Sequence, residues 1–114
     1  MTKPQIIKRL SYWKSILGLD NWEIEVAFEK DKDTEEGELG RCTPDSSYFS
    51  AFIVFNPKRL RDVNDNVIVH ELLHCLTSEM KSYMVENGKK DSWTTFFDER
   101  LVSQLASIIV RLNK

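Results

Sequence analysis

At 114 residues with a formal net charge of −2, 41% hydrophobic and 30% charged residues, the chain has the apolar content of a single packed domain, residues 1–114. That composition excludes an intrinsically disordered segment, and the charge balance excludes a global electrostatic pull towards nucleic acid or an anionic membrane. The apolar run 101–112 is broken by Ser103, Gln104 and Ser107 and is too short to span a bilayer. No apolar stretch of the secretory type follows the first charges, so Cys42 and Cys75 are expected to be reduced thiols of a cytoplasmic protein.

In chain order, Thr2, Pro4 and Gln5 read as a helix start with a capping box. Ile6, Ile7, Leu10, Trp13 and Leu17 carry a helical stripe until Gly18 ends it. Residues 22–29 alternate apolar and acidic as a half-buried strand does, with Trp22, Ile24, Val26 and Phe28 inward. The charged stretch 30–38 reads as a solvated hairpin or loop. Residues 39–43 form a candidate short strand ended by the turn signal Pro44-Asp45-Ser46. The aromatic and branched run 48–55 is a further strand, and 58–62 a basic linker of about one helical turn.

A long helix over 64–86 follows, with Val69, Leu72, Leu73, Leu76, Met80 and Tyr83 on its apolar side and Asn87-Gly88 as its end. A last helix begins at Asp91 or Ser92, and Trp93, Phe97, Leu101, Leu105, Ile108 and Leu112 mark its expected buried side. The order predicts an α+β domain: an N-terminal helix, a two- to three-stranded antiparallel-biased sheet with helices packed on one side, and two C-terminal helices.

The long helix contains His70-Glu71-Leu72-Leu73-His74, which uses both histidines of the chain. Residues four apart stand one above the other on a helix, so the two imidazoles can aim at one point. Glu71, turned about 100° from His70, can touch a water there without taking a ligand position. This is the H-E-x-x-H arrangement of a zinc ion with a general base. The bland alternative is a solvated helix face bearing two hydrogen-bonded histidines. A catalytic zinc takes a third protein ligand, which here must be an acid or a thiol. Cys75 projects about 100° away from His74 and reads as core. Glu79 points off the face, and Glu86 and Asp91 lie near a loop. Glu99 shares a helix side with Val102, Ala106 and Ile109 and is preferred; Asp98 is the alternative ligand, or the acceptor for a histidine N–H.

HELLH on one helix with a glutamate on a later one, within FDERLVSQLA, resembles the gluzincin branch of the zincin metallopeptidases. It is most similar to the very small single-domain forms of prokaryotes and their phages. The resemblance is tight over 67–76 and loose over 97–106. It implies a minimal zincin-like domain with zinc on His70, His74 and Glu99, Glu71 as general base, a peptide or protein substrate, and strand 48–55 lining the cleft. It also implies possible latency. Larger gluzincins bind the oxyanion with a distant histidine or tyrosine; with no histidine left, Tyr83, Tyr48 or Arg100 would have to serve, or zinc alone. Two functions follow as expectations. One is a zinc peptidase holding peptide along a strand edge. The other is a zinc-binding interaction module that hydrolyses nothing, with Tyr48, Phe49 and Phe52 as interface residues.

Overall fold

The computed structural model describes residues 1–29 and 38–113. In chain order these form helix α1 (Lys3–Ile16), strands β1 (Glu23–Ala27), β2 (Gly40–Asp45) and β3 (Ser50–Phe55), a 3-10 segment (Pro57–Asp62), and helices α2 (Asp65–Glu86) and α3 (Asp91–Leu112). The class is α+β, as the order of periodic segments implies. Of the charged loop expected over 30–38, all but Glu38 lies outside the described residues.

Local chemistry sets the ends of α1. The Thr2 side chain accepts from the Gln5 N–H and the Gln5 side chain accepts from the Thr2 N–H, closing the capping box. Gly18 takes the left-handed turn beyond the helix at φ +73°. Ile6, Leu10 and Trp13 are buried, whereas Ile7, expected in the same stripe, is exposed, because it is turned about 100° from Ile6.

The sheet order is β1-β3-β2, with β3 parallel to β1 and antiparallel to β2. The expected antiparallel bias therefore describes one of the two pairings. Register sets Val26 and Cys42 beside Ile53, and Ile24 beside Ala51, so these residues share the sheet face that joins the core. Pro44, expected to end β2, stands inside it. An edge strand tolerates proline because the missing N–H points away from the sheet. Tyr48 and Phe49, expected in β3, form the turn before it, and Phe49 sits at φ +49° to reverse the chain. Gly40 has a separate reason: a Cβ there would meet the Phe55 ring and the Val54 carbonyl at 3.1 Å.

Helix α2 is the central element. Its buried Ile68, Val69, Leu72, Leu73 and Cys75 join Trp13, Ile53, Phe55, Val102 and Ala106 in one core cluster. The expected buried side of α3 needs correction. Thr94, Asp98, Val102 and Ala106 are buried, while Trp93, Phe97, Leu101 and Leu112 are exposed and Leu105 and Ile108 are partly so. The helix is rotated so that its more polar side meets α2. Neither Asp91 nor Ser92 caps it; Lys90 holds the N-cap position without a side-chain hydrogen bond. Among the described residues no helix is long and apolar enough to cross a membrane.

Candidate metal centre

The N-terminus of α2 is fixed twice. Asn64 accepts from the Val67 N–H as its cap, and Asp65 receives a bidentate pair from Arg9 at 2.9 and 3.0 Å plus the Trp13 indole N–H at 3.0 Å. These bonds tie α2 to α1 one helical turn before His70. The two imidazoles then stand on one face with ring centroids 5.0 Å apart. Ligand atoms of His70, Glu71 and His74 all lie within 4.8 Å of one another, so the group could hold a metal ion.

Helix α3 brings two adjacent carboxylates to this pair in different roles. Glu99 spans it: its Oε2 is 3.1 Å from His70 Nε2 and its Oε1 is 3.1 Å from His74 Nε2. Asp98, buried beneath, approaches the other nitrogen of His74, with Oδ2 3.0 Å from Nδ1. Neighbours on a helix diverge by about 100°, which is why one acid faces the groove and the next faces the interior. The outer nitrogen of His70 has a weaker contact, Ser103 Oγ at 3.4 Å. The only sequence signal for Ser103 is its position four residues after Glu99, which puts it on the same face.

Glu71 has a different environment. It is 6% exposed and its Oε2 has no hydrogen-bond partner. Burial, followed by the negative charges of Glu99 and Glu38 and opposed by Arg41, pushes its carboxyl up to about 8. Burial also lowers the affinity of His70 for a proton, helped by the proximity of His74 and opposed by Glu99 and Asp98. The His70 ring thus favours the neutral form, the one that ligates a metal. Cys75 is buried in the core as expected, with its Sγ 4.0 Å from that of Cys42.

These residues open on a groove of about 870 Å³. Gly40, Arg41, Cys42 and Pro44 of β2 form one wall, and Asp91, Thr95, Asp98 and Glu99 of α3 the other. A smaller depression of about 390 Å³, lined by Leu39, Val67, Ser103 and Ala106, shares Gly40, His70 and Glu71 with it. His70 and Glu71 therefore sit between two hollows, with His74 in the larger one. The expected cleft-lining strand 48–55 is corrected here: β3 is central, paired on both sides, and β2 provides the open edge. The Asn56 N–H donates to the Leu39 carbonyl, so alternation turns the backbone of Gly40, Cys42 and Pro44 towards that open edge.

The expected oxyanion groups are not brought to the site. Tyr48 lies in the turn before β3, Tyr83 is exposed outside the groove, and Arg100 stands over the Phe96 ring at 5.9 Å. Among the described residues, the cations lining the groove are Arg41 and Lys81. Nothing local in the sequence marks Arg41, because its place depends on which strand holds the sheet edge. Tyr48, Phe49 and Phe52 are exposed, Phe49 meeting Trp22 edge-on at 5.8 Å.

Comparison of the chain with protein-family models, with curated proteins and with solved structures returned no significant match.

Proposed function

We propose that the chain is a metal-dependent peptidase in which His70, His74 and Glu99 hold the ion and Glu71 acts as general base. The observation that carries this reading is the Glu99 carboxylate, whose two oxygens each stand 3.1 Å from a different imidazole Nε2. Two imidazole nitrogens and one carboxylate make the donor set of a catalytic zinc site, and the orphaned Glu71 oxygen beside it suits a group that meets water, not metal. Zinc, when bound, would supply Lewis-acid polarisation of a water and of the scissile carbonyl.

The remaining chemistry belongs to the chain. Glu71 takes the proton of the attacking water and returns it to the departing amine. Asp98 accepts from the His74 Nδ1–H, leaving Nε2 free and fixing the ring. The peptide backbone pairs with the open edge of β2 through Gly40 and Cys42. Pairing stops at Pro44, which has no N–H to offer. Arg41, on the same wall, is the group nearest in kind to an oxyanion stabiliser.

The test is elemental analysis joined to a peptide-library cleavage assay with and without chelator. Glu71→Gln is expected to keep stoichiometric metal and lose hydrolysis, while His74→Ala and Glu99→Ala lose the metal. Wild-type zinc content in both ligand variants would overturn the assignment. A second reading, a metal-binding module acting through a protein partner, is favoured by the failure of Tyr48, Tyr83 and Arg100 to reach the groove. Full metal loading with no chelator-sensitive cleavage would select it.

A further inference from the structure

One side of the α2–α3 hairpin carries an apolar face that no other element among the described residues covers. Burial runs through Thr77 and Ser78 on one side of α2 and through Thr94, Asp98 and Val102 on one side of α3, whereas Leu76, Met80 and Tyr83 on α2 and Trp93, Phe97 and Leu101 on α3 are between 41% and 66% exposed. Helical geometry puts them on one side. From Asp98, which points at α2, Glu99 turns about 100° towards the groove and Phe97 about 100° the opposite way, with Trp93 and Leu101 above and below it. On α2, Leu76 and Met80 lie about 140–180° round from Glu71, again away from the groove. The His74–Asp98 contact sets the level of the two antiparallel helices, bringing Leu76 beside Phe97 and Met80 beside Trp93.

We propose that this face is the interface of a homodimer, in which two hairpins pack as a four-helix layer and leave both grooves open. At about 200 Å² for a large apolar side chain, the exposed fractions amount to on the order of 650 Å² per copy. A standard interface buries about 800 Å² per partner, so the apolar centre is nearly sufficient before its polar rim is added. A patch of this size is more than scattered surface residues account for. Charge chooses the pairing. Exposed Glu79 borders the α2 side, and exposed Lys90 and Arg100 the α3 side. Laying α2 across the second copy's α3 sets Glu79 against these bases, whereas α2 on α2 sets Glu79 against Glu79. Each hairpin presents the same surface to the other, as a two-fold contact requires.

The test is the mass of the full chain by light scattering and sedimentation from low micromolar to near-millimolar concentration, with and without chelator. A concentration-dependent mass of two chains is expected in both solutions, so the result does not depend on the metal reading. Met80→Glu and Phe97→Glu are each expected to give a monomer with unchanged circular dichroism and unchanged metal content. Amide exchange over 76–101 should slow as wild-type concentration rises, which reports the interface even if a variant folds poorly. A monomer throughout the range overturns the proposal. So does a dimer that survives both substitutions with unchanged exchange, or a monomer that cosediments with anionic phospholipid vesicles through this face.

Discussion

The two halves of α2 carry the same kind of apolar repeat and meet opposite fates. In the first half, Val69, Leu72 and Leu73 are 0–3% exposed, and the helix end is held by Asn64, Arg9 and Trp13. In the second half, Leu76 and Met80 continue the repeat but are about half exposed. Periodicity records which side of a helix is apolar; it does not record how far the neighbouring elements extend. The first half has α1, the sheet and α3 around it, and is stiff enough to hold two imidazoles. The second half buries Thr77 and Ser78, while its Leu76 and Met80 side is left uncovered by the described residues.

The strongest way to break the comparison is chemical. Glu71→Gln leaves the packing of the first half intact yet is expected to reduce peptide cleavage by roughly 10²–10⁴-fold, the usual contribution of a positioned general base. A matched loss from Leu76→Ala, one turn on, would mean that activity does not belong to the rigid half. The next largest effect is on stability. Leu72→Ala, at a fully buried site, is expected to cost about 2–5 kcal/mol, and Leu76→Ala about 0.5 kcal/mol or less for the monomer. Denaturant melts of both variants measure the difference. Similar costs would show that the far half is as tightly packed as the near one.

A third experiment uses the metal-free protein. Glu71 ionises near its ordinary value of 4.5 in the unfolded chain, whereas burial raises it to about 8 in the fold. A raised carboxyl binds its proton more tightly when folded, so it penalises folding increasingly as pH rises from about 4.5 to 8. Glu71→Gln removes that penalty. In chelator at pH near 7.5 the variant is expected to melt several degrees above wild type, a gain on the order of 1–3 kcal/mol, and at pH near 4 to match it. An equal difference at both pH values would assign the effect to packing.

What was legible in the sequence follows the same division between local and distant causes. The capping box of Thr2 and Gln5, the turn at Gly18, the Asn64 cap and the facing of His70 and His74 each depend on residues within a few positions, and each was readable. Glu99, assigned to the side of Val102, Ala106 and Ile109, and Asp98, kept as its alternative, both stand against the histidines. Strand order was not readable. Whether β2 or β3 holds the open edge depends on a parallel β1–β3 pairing across more than twenty intervening residues. The place of Arg41 on the groove wall depends on that same pairing. The face of α3 was misassigned because Trp93, Phe97 and Leu101 outweigh Thr94 and Asp98 in hydrophobicity. Here, Thr94 and Asp98 turn inward with Val102 and Ala106, and the larger apolar residues Trp93, Phe97 and Leu101 face out.

The smallest expected effect concerns the anchor at the start of α2. The Arg9 guanidinium holds the Asp65 carboxyl below its ordinary value of 3.8 against the opposing cost of burial, with the Trp13 indole adding to the lowering. A depressed carboxyl stabilises the fold at every pH above the unfolded value, and that contribution is lost as pH falls through the lower folded value. The pair is partly exposed to water, so its worth is discounted to about 1 kcal/mol. Asp65→Asn should therefore lower stability by that amount at neutral pH and by progressively less below pH 4, bringing the acid limbs of mutant and wild type together. Because Asp65 anchors the half that carries the histidines, the same substitution should weaken metal affinity several-fold while leaving the dimer mass unchanged. A loss of dimerisation with metal affinity intact would reverse the division of α2 into a rigid site and a free face.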